Sequence, residues 1–206
     1  MTGGAPGAPR AVIFDLDGTL TEPLLDFDAI REEIGLRPGQ PILEQLDQLG
    51  ARDAALRARG DAILRRHELD AIRRATLADG CRELLARLRA RDVPTAILTR
   101  NLREVVTLFA GMFDLPPFAA SYTREDGPPK PSPAGALALC ARLGAAPADT
   151  LVVGDYRFDI LAGRAAGCRT ALVAPSPPAD LSAWGPPDLV VASLRELLPL
   201  WDDPPG

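Results

Sequence analysis

Asp15 and Asp17 stand two residues apart at the end of the apolar run Ala11-Val12-Ile13-Phe14, and Gly18-Thr19-Leu20-Thr21 follows at once. The run is short, β-branched and aromatic, which predicts a buried strand ended by Gly18. Carboxylates at the carboxyl end of such a strand sit where open α/β sheets bind ligands, and they suit a cation. Alternation along a strand puts both side chains on one face, but Gly18 lets the chain bend there. One carboxylate is then placed to attack and the other to handle a proton. A single Asp after a strand is often a cap or turn residue; a pair is seldom only that.

Three other groups carry chemistry. Thr99-Arg100-Asn101 follows the apolar stretch Thr95-Ala96-Ile97-Leu98 and precedes a helical pattern. A hydroxyl and free N–H groups at a strand-to-helix junction make an anion site, although taken alone Thr99 or Asn101 reads more readily as a helix cap. Of the 23 basic residues, every one is arginine except Lys130, in Pro128-Pro129-Lys130-Pro131-Ser132-Pro133. An ammonium is a compact charge that fits beside carboxylates where a planar guanidinium fork does not. Leu151-Val152-Val153-Gly154-Asp155 is a second apolar strand ending in a carboxylate, with Asp159 four residues on. A hard cation such as Mg²⁺ takes oxygen ligands, keeps some waters and also binds substrate phosphate.

The elements that must position these residues alternate. Helices are predicted over Cys81–Arg91, Leu102–Met112, Pro133–Leu143 and Ile160–Ala166. Strands are predicted at Thr95–Leu98, Phe118–Tyr122, Leu151–Val153, Thr170–Val173 and Asp188–Val191. Such alternation implies parallel βαβ units and an α/β, doubly wound parallel sheet. Residues 22–78 hold no convincing strand. Helices are expected at Asp26–Ile34, ended by Gly35, at Ile42–Leu49 after Pro41, and at Arg52–Ala75 with Leu56, Ile63, Leu64, Leu69 and Ile72 as one apolar stripe. The expected organisation is a disordered leader over 1–9, a core of 10–21 with 79–206, and a helical insertion over 22–78. Ser176–Pro178 and Asp203–Pro205 read as loop and tail.

A chain of 206 residues with 47% hydrophobic and 25% charged residues fits a soluble globular protein of one large domain, or a core with an insertion. A net charge of −5 argues against nucleic acid as a partner, since binding domains of that kind carry a basic surplus. No apolar run reaches membrane-spanning length. Cys81, Cys140 and Cys168 are widely spaced and read as core residues of a reduced, cytoplasmic protein. His67, the single histidine, reads as a helix surface residue, and its isolation tells against Ser-His-Asp hydrolysis.

The string Asp15-Leu16-Asp17-Gly18-Thr19-Leu20-Thr21 resembles the first motif of the haloacid-dehalogenase superfamily, in its phosphatase branch. Thr99, Lys130 and Gly154-Asp155-x-x-x-Asp159 resemble its second, third and fourth motifs in order, and the resemblance covers nearly the whole chain. It implies a phosphatase with a helical cap between the first two motifs, similar to the phosphoglycolate phosphatases. Asp15 is then the nucleophile and a Mg²⁺ ligand, and Asp17 the general acid and base, giving the metal only its backbone carbonyl. Thr99 with the following N–H groups of Arg100 and Asn101 binds phosphoryl oxygens, and Lys130 holds the nucleophile and the phosphate. Asp155 completes the metal shell, and Asp159 either binds the ion or acts through water. The expected partner is a small phosphorylated metabolite, not nucleic acid or membrane, and the expected state is a monomer or homodimer.

Asp17 speaks against a dehalogenase, whose branch lacks that second acid. A sugar phosphomutase of the β-phosphoglucomutase type keeps all four motifs and stays open as an alternative. A phospho-accepting signalling receiver is a poorer fit, because receivers are shorter and lack the insertion. In the insertion, Arg37 is the one charge in the loop Gly35–Pro41. It reads more readily as an exposed arginine at a helix end, yet its fork suits a second anionic group on a substrate.

Overall fold

The computed structural model describes residues 7–202. They form two compact units, one comprising the chain up to Pro23 and from Thr76 onward, the other Leu24–Ala75.

The larger unit is built on six parallel strands: β1 (Ala11–Phe14), β2 (Thr95–Leu98), β3 (Ala120–Tyr122), β4 (Thr150–Gly154), β5 (Arg169–Val173) and β6 (Leu189–Val191). Their spatial order is β3-β2-β1-β4-β5-β6. Every residue of β1, β2 and β4 is buried, which is why these strands are continuous apolar runs and do not alternate. Phe14 sits opposite Ile97 on one side and Val153 on the other, so the carboxyl ends of β1, β2 and β4 finish level. Strand order reverses about β1, so those ends flank the crevice where open sheets bind ligands. Helices α4 (Cys81–Ala90), α5 (Arg103–Met112), α6 (Ala134–Leu143) and α7 (Arg157–Ala165) cross between strands. Ile13, Leu98, Leu139 and Val152 share one part of the core with Cys140 and Cys168; all three cysteines are buried and free.

The smaller unit has three helices, α1 (Phe27–Ile34), α2 (Ile42–Gly50) and α3 (Ala54–Ile72). Asp26 caps α1 by accepting from the N–H groups of Asp28 and Ala29, and Gly35 ends it in the left-handed conformation. Ile30, Ile42, Leu43, Leu46 and Leu64 form its core.

Several sequence expectations need correction. The helix expected from Arg52 starts at Ala54, because Asp53 is the cap and accepts from the N–H groups of Ala55 and Leu56. Leu56 leaves the apolar stripe and is 49% exposed, while Ile63, Leu64, Leu69 and Ile72 are buried. Residues 76–78, expected in the insertion, pair with the core segment: Glu22 N–H donates to Thr76 O and Ala78 N–H to Leu20 O. The leader is shorter than 1–9, since Gly7 O accepts from Arg169 and the buried Pro9 accepts from the Trp201 indole. Its first six residues, and the tail Asp203–Pro205, lie outside the described residues. Beyond Ser193 a 3₁₀ segment, Leu194–Trp201, buries Leu194, Leu197 and Trp201 and packs on α4. No helix among the described residues is long and apolar enough to cross a membrane.

Candidate active site

Asp15 continues β1 by one more rung, its N–H donating to Val153 O at 2.9 Å. The next residues turn sharply: Leu16 O accepts from the N–H groups of Leu20 at 3.0 Å and Thr21 at 3.1 Å. Gly18 makes this possible twice over. Its φ is +80°, and a Cβ there would lie 2.3 Å from the Asp155 carboxylate. The first loop therefore lies directly against the carboxylate that ends β4. Gly154 has the matching role, because a Cβ on it would meet the Asp159 carboxyl carbon at 2.1 Å. The two glycines allow carboxylates from two strands to crowd together.

Asp15, Asp155 and Asp159 each offer an oxygen within 4.8 Å of the others'. Lys130 enters this group from the loop before α6. Its Nζ lies 2.7 Å from Asp15 Oδ1 and 2.5 Å from Asp159 Oδ1, and the residue is only 3% exposed. Asp159 is also buried, and its second oxygen accepts from Tyr156 N–H at 3.1 Å. Both Asp159 oxygens are thus engaged, one on the ammonium and one on the backbone. That second bond caps α7, which is why the helix begins at Arg157 and not at Ile160 as expected. Thr19, which the sequence reading did not assign, donates to Asp155 Oδ1 at the outer limit of 3.5 Å.

Electrostatics follow from this crowding. Burial, then the charges of Asp15, Asp159 and Asp17, push the Asp155 carboxyl up to about 8, against the pull of Lys130. Burial also pushes Asp159 up, to about 6, with Asp15 adding and Lys130 opposing. For Lys130, burial pulls down, but Asp15 and Asp159 more than compensate and hold its ammonium charged. Two carboxylates meet the ammonium, Asp155 crowds against both, and the charge of Asp17 is felt at Asp155. Hard oxygen donors with uncompensated charge, such as the cluster of Asp15, Asp155 and Asp159, fit a divalent cation such as Mg²⁺.

The second-motif residues are tied to one another and to the lysine loop. Thr99 and Asn101 are buried, and the Thr99 hydroxyl accepts from Asn101 N–H at 3.1 Å, so it serves its own loop. Arg100 sends its guanidinium to the carbonyl of Lys130 and over the Phe158 ring, 4.6 Å from its centre. It ties the loop after β2 to the lysine loop and to the start of α7. Whether an arginine faces a ligand, a carbonyl or a ring depends on packing that no motif encodes. Arg37 lies in the helical unit, exposed, with its backbone held at both ends by the Gln45 amide. His67 also lies there, 2.8 Å from the Glu33 carboxylate.

Comparison with known proteins agrees with this arrangement. The haloacid dehalogenase-like hydrolase family matches residues 9–167, well over half the chain. A haloacid dehalogenase-like hydrolase domain-containing protein of Arabidopsis thaliana is 28% identical over 95% of this chain and 81% of its own. A phosphoglycolate phosphatase of Chromobacterium violaceum is 31% identical over 93% of this chain and 96% of its own. In fold, a hydrolase from Pseudomonas syringae superposes with a TM-score of 0.76 at 22% identity, covering 92% of this chain and 96% of the other. With its paired strand-end aspartates and buried lysine in family order, the chain belongs to the haloacid dehalogenase-like hydrolases.

Proposed function

We propose that the protein is a Mg²⁺-dependent phosphomonoester hydrolase that acts on a small phosphorylated metabolite through an aspartyl-phosphate at Asp15. One observation carries this reading: a buried ammonium 2.7 Å from Asp15 Oδ1, at the carboxyl end of the central strand. Lys130 orients Asp15, and it offers its remaining hydrogen to a phosphoryl oxygen. Asp15 attacks phosphorus in line while Asp17 delivers a proton to the departing alkoxide oxygen. Asp17, now ionised, takes a proton from a water that attacks the phosphorus of the acyl phosphate, freeing inorganic phosphate and restoring Asp15. Mg²⁺, when bound by Asp15, Asp155 and the Asp17 carbonyl, offsets charge on the transferring group. Thr99, through its hydroxyl hydrogen, and the Arg100 N–H receive phosphoryl oxygens, while the Asn101 N–H holds the Thr99 hydroxyl in place. Asp159 acts chiefly by positioning Lys130, since both its oxygens are already bonded. The enzyme is placed in the cytoplasm, as a monomer or homodimer, in keeping with its three free thiols.

The test is release of inorganic phosphate from p-nitrophenyl phosphate and a panel of phosphorylated metabolites, with Mg²⁺ and with excess EDTA. Metal-dependent release supports the reading. Full activity in EDTA, or phosphate delivered to a second sugar in preference to water, overturns it.

A further inference from the structure

Between the two aspartates of the fourth motif lie Tyr156, Arg157 and Phe158, which the reaction above leaves unused. Arg157 opens α7, and its guanidinium carbon lies 5.6 Å from the Tyr156 ring centre and 5.1 Å from that of Phe158. The Phe158 ring carries a second guanidinium, that of Arg100, at 4.6 Å. Arg100 is anchored on the Lys130 carbonyl, whereas Arg157 pairs with no carboxylate among the described residues. The Arg157 Nε is moreover buried and has no hydrogen-bond partner among them. Tyr156, beside it, is 45% exposed, so the platform is open on one side.

These facts point one way. Ring faces attract a cation, but two guanidinium groups sharing one ring also repel each other. A buried donor with no partner is uncommon and calls for a ligand or water. A guanidinium seated in the corner between two rings set edge to face has less freedom to lose when its fork meets a carboxylate or phosphate. Arg157 is two residues from both Asp155 and Asp159, so its Cα lies within about 7 Å of theirs. The Phe158 ring that it packs on also carries Arg100, whose guanidinium reaches the carbonyl of Lys130, the lysine paired with Asp15.

We propose that Arg157, lodged against Tyr156 and Phe158 beside Arg100, binds a second anionic group of the substrate, a carboxylate or a second phosphate, a few carbons from the phosphoryl group being transferred. This rests on the phosphatase reading above and adds to it a substrate class and a specificity residue.

The experiment compares wild type, Arg157→Ala and Arg157→Lys on three matched esters: propyl phosphate, 3-phosphooxypropanoate and propane-1,3-diyl bisphosphate. Arg157→Ala is expected to lower the kcat/KM for an anion-bearing ester, relative to that for propyl phosphate, by roughly 10- to 100-fold, chiefly through KM. Arg157→Lys should recover part of the ratio, and it carries the test if circular dichroism finds the alanine variant misfolded. A selective loss for the carboxylate ester alone names a carboxylate as the group bound, and a loss for the bisphosphate alone names a phosphate. Parallel changes for all three esters, or none, overturn the assignment. If wild type hydrolyses none of them, the phosphatase reading is decided by p-nitrophenyl phosphate and Arg157 is judged separately by calorimetry. There wild type must bind 3-phosphonopropionate more tightly than propylphosphonate and Arg157→Ala must lose that difference; equal affinities in wild type overturn the proposal.

Discussion

In the larger unit, Lys130 is 3% exposed and sits between the carboxylates of Asp15 and Asp159. In the helical unit, Arg66 meets Glu33 at 2.5 Å with side chains 54% and 40% exposed. Both are ion pairs of good geometry, yet they do different things. A buried pair pays a desolvation penalty that can exceed its attraction, so its presence points to use in function more than to stability. An exposed pair is screened by water and salt and contributes little to either. The larger unit concentrates charge where chemistry needs it. The helical unit is held by apolar contacts among Ile30, Ile42, Leu43, Leu46 and Leu64, with the Arg66–Glu33 pair at its surface.

Substitutions should separate the two regimes. The largest effect is expected for Asp15→Asn, which keeps the side chain's shape and removes the nucleophile: turnover of p-nitrophenyl phosphate should fall on the order of 10⁴-fold or more, with the circular dichroism spectrum unchanged. Near wild-type turnover would break the assignment. Lys130→Arg should cost on the order of 10²-fold in kcat, because a planar fork cannot meet Asp15 and Asp159 as a compact ammonium does. A silent swap would make Lys130 a charge like those of the helical unit.

A third expectation concerns pH. The Asp155 carboxyl stands well above its ordinary 3.8, at about 8, because burial and neighbouring charge disfavour its ionised form. A raised folded value means that this contribution to stability is complete below about pH 4 and is lost as pH rises through about 8. A divalent cation favours the ionised form, so the rise in Tm on adding Mg²⁺ should grow from pH 5 to pH 8. A gain that is constant or shrinks over that range would remove Asp155 from the metal shell. The smallest effect is expected for Glu33→Gln. Arg66 and then His67 hold the Glu33 carboxyl below its usual range, but it lies at the surface, and Tm should not move measurably. A large drop would mean the exposed pairs matter as the buried one does.

Much of the larger unit could be read in advance because its central strands are buried on both faces and so appear as unbroken apolar runs ending in the residues that matter. Asp15, Lys130, Asp155 and Asp159 were legible for the same reason, and because one lysine among so many arginines is conspicuous. What stayed hidden depends on side chains folding back on the chain. The Asp159 carboxylate caps Tyr156 and advances α7 by a turn; the Thr99 hydroxyl turns to Asn101; Pro9 is fixed by Trp201 from the far end of the sequence. The segment Leu194–Trp201 buries only three residues, too few to announce a helix. Arg100 and Arg157 look alike in sequence and both pack on Phe158, and only the Lys130 carbonyl that Arg100 reaches sets the anchored guanidinium apart.

The central claim is that phosphate passes through Asp15. Acid-quenching the enzyme within a single turnover of p-nitrophenyl phosphate traps an acyl phosphate, which peptide mass spectrometry can locate. The account predicts phosphate on the peptide carrying Asp15, removed by hydroxylamine and missing from Asp15→Asn. Phosphate on another residue, or inorganic phosphate formed at full rate with the enzyme never labelled, would contradict it.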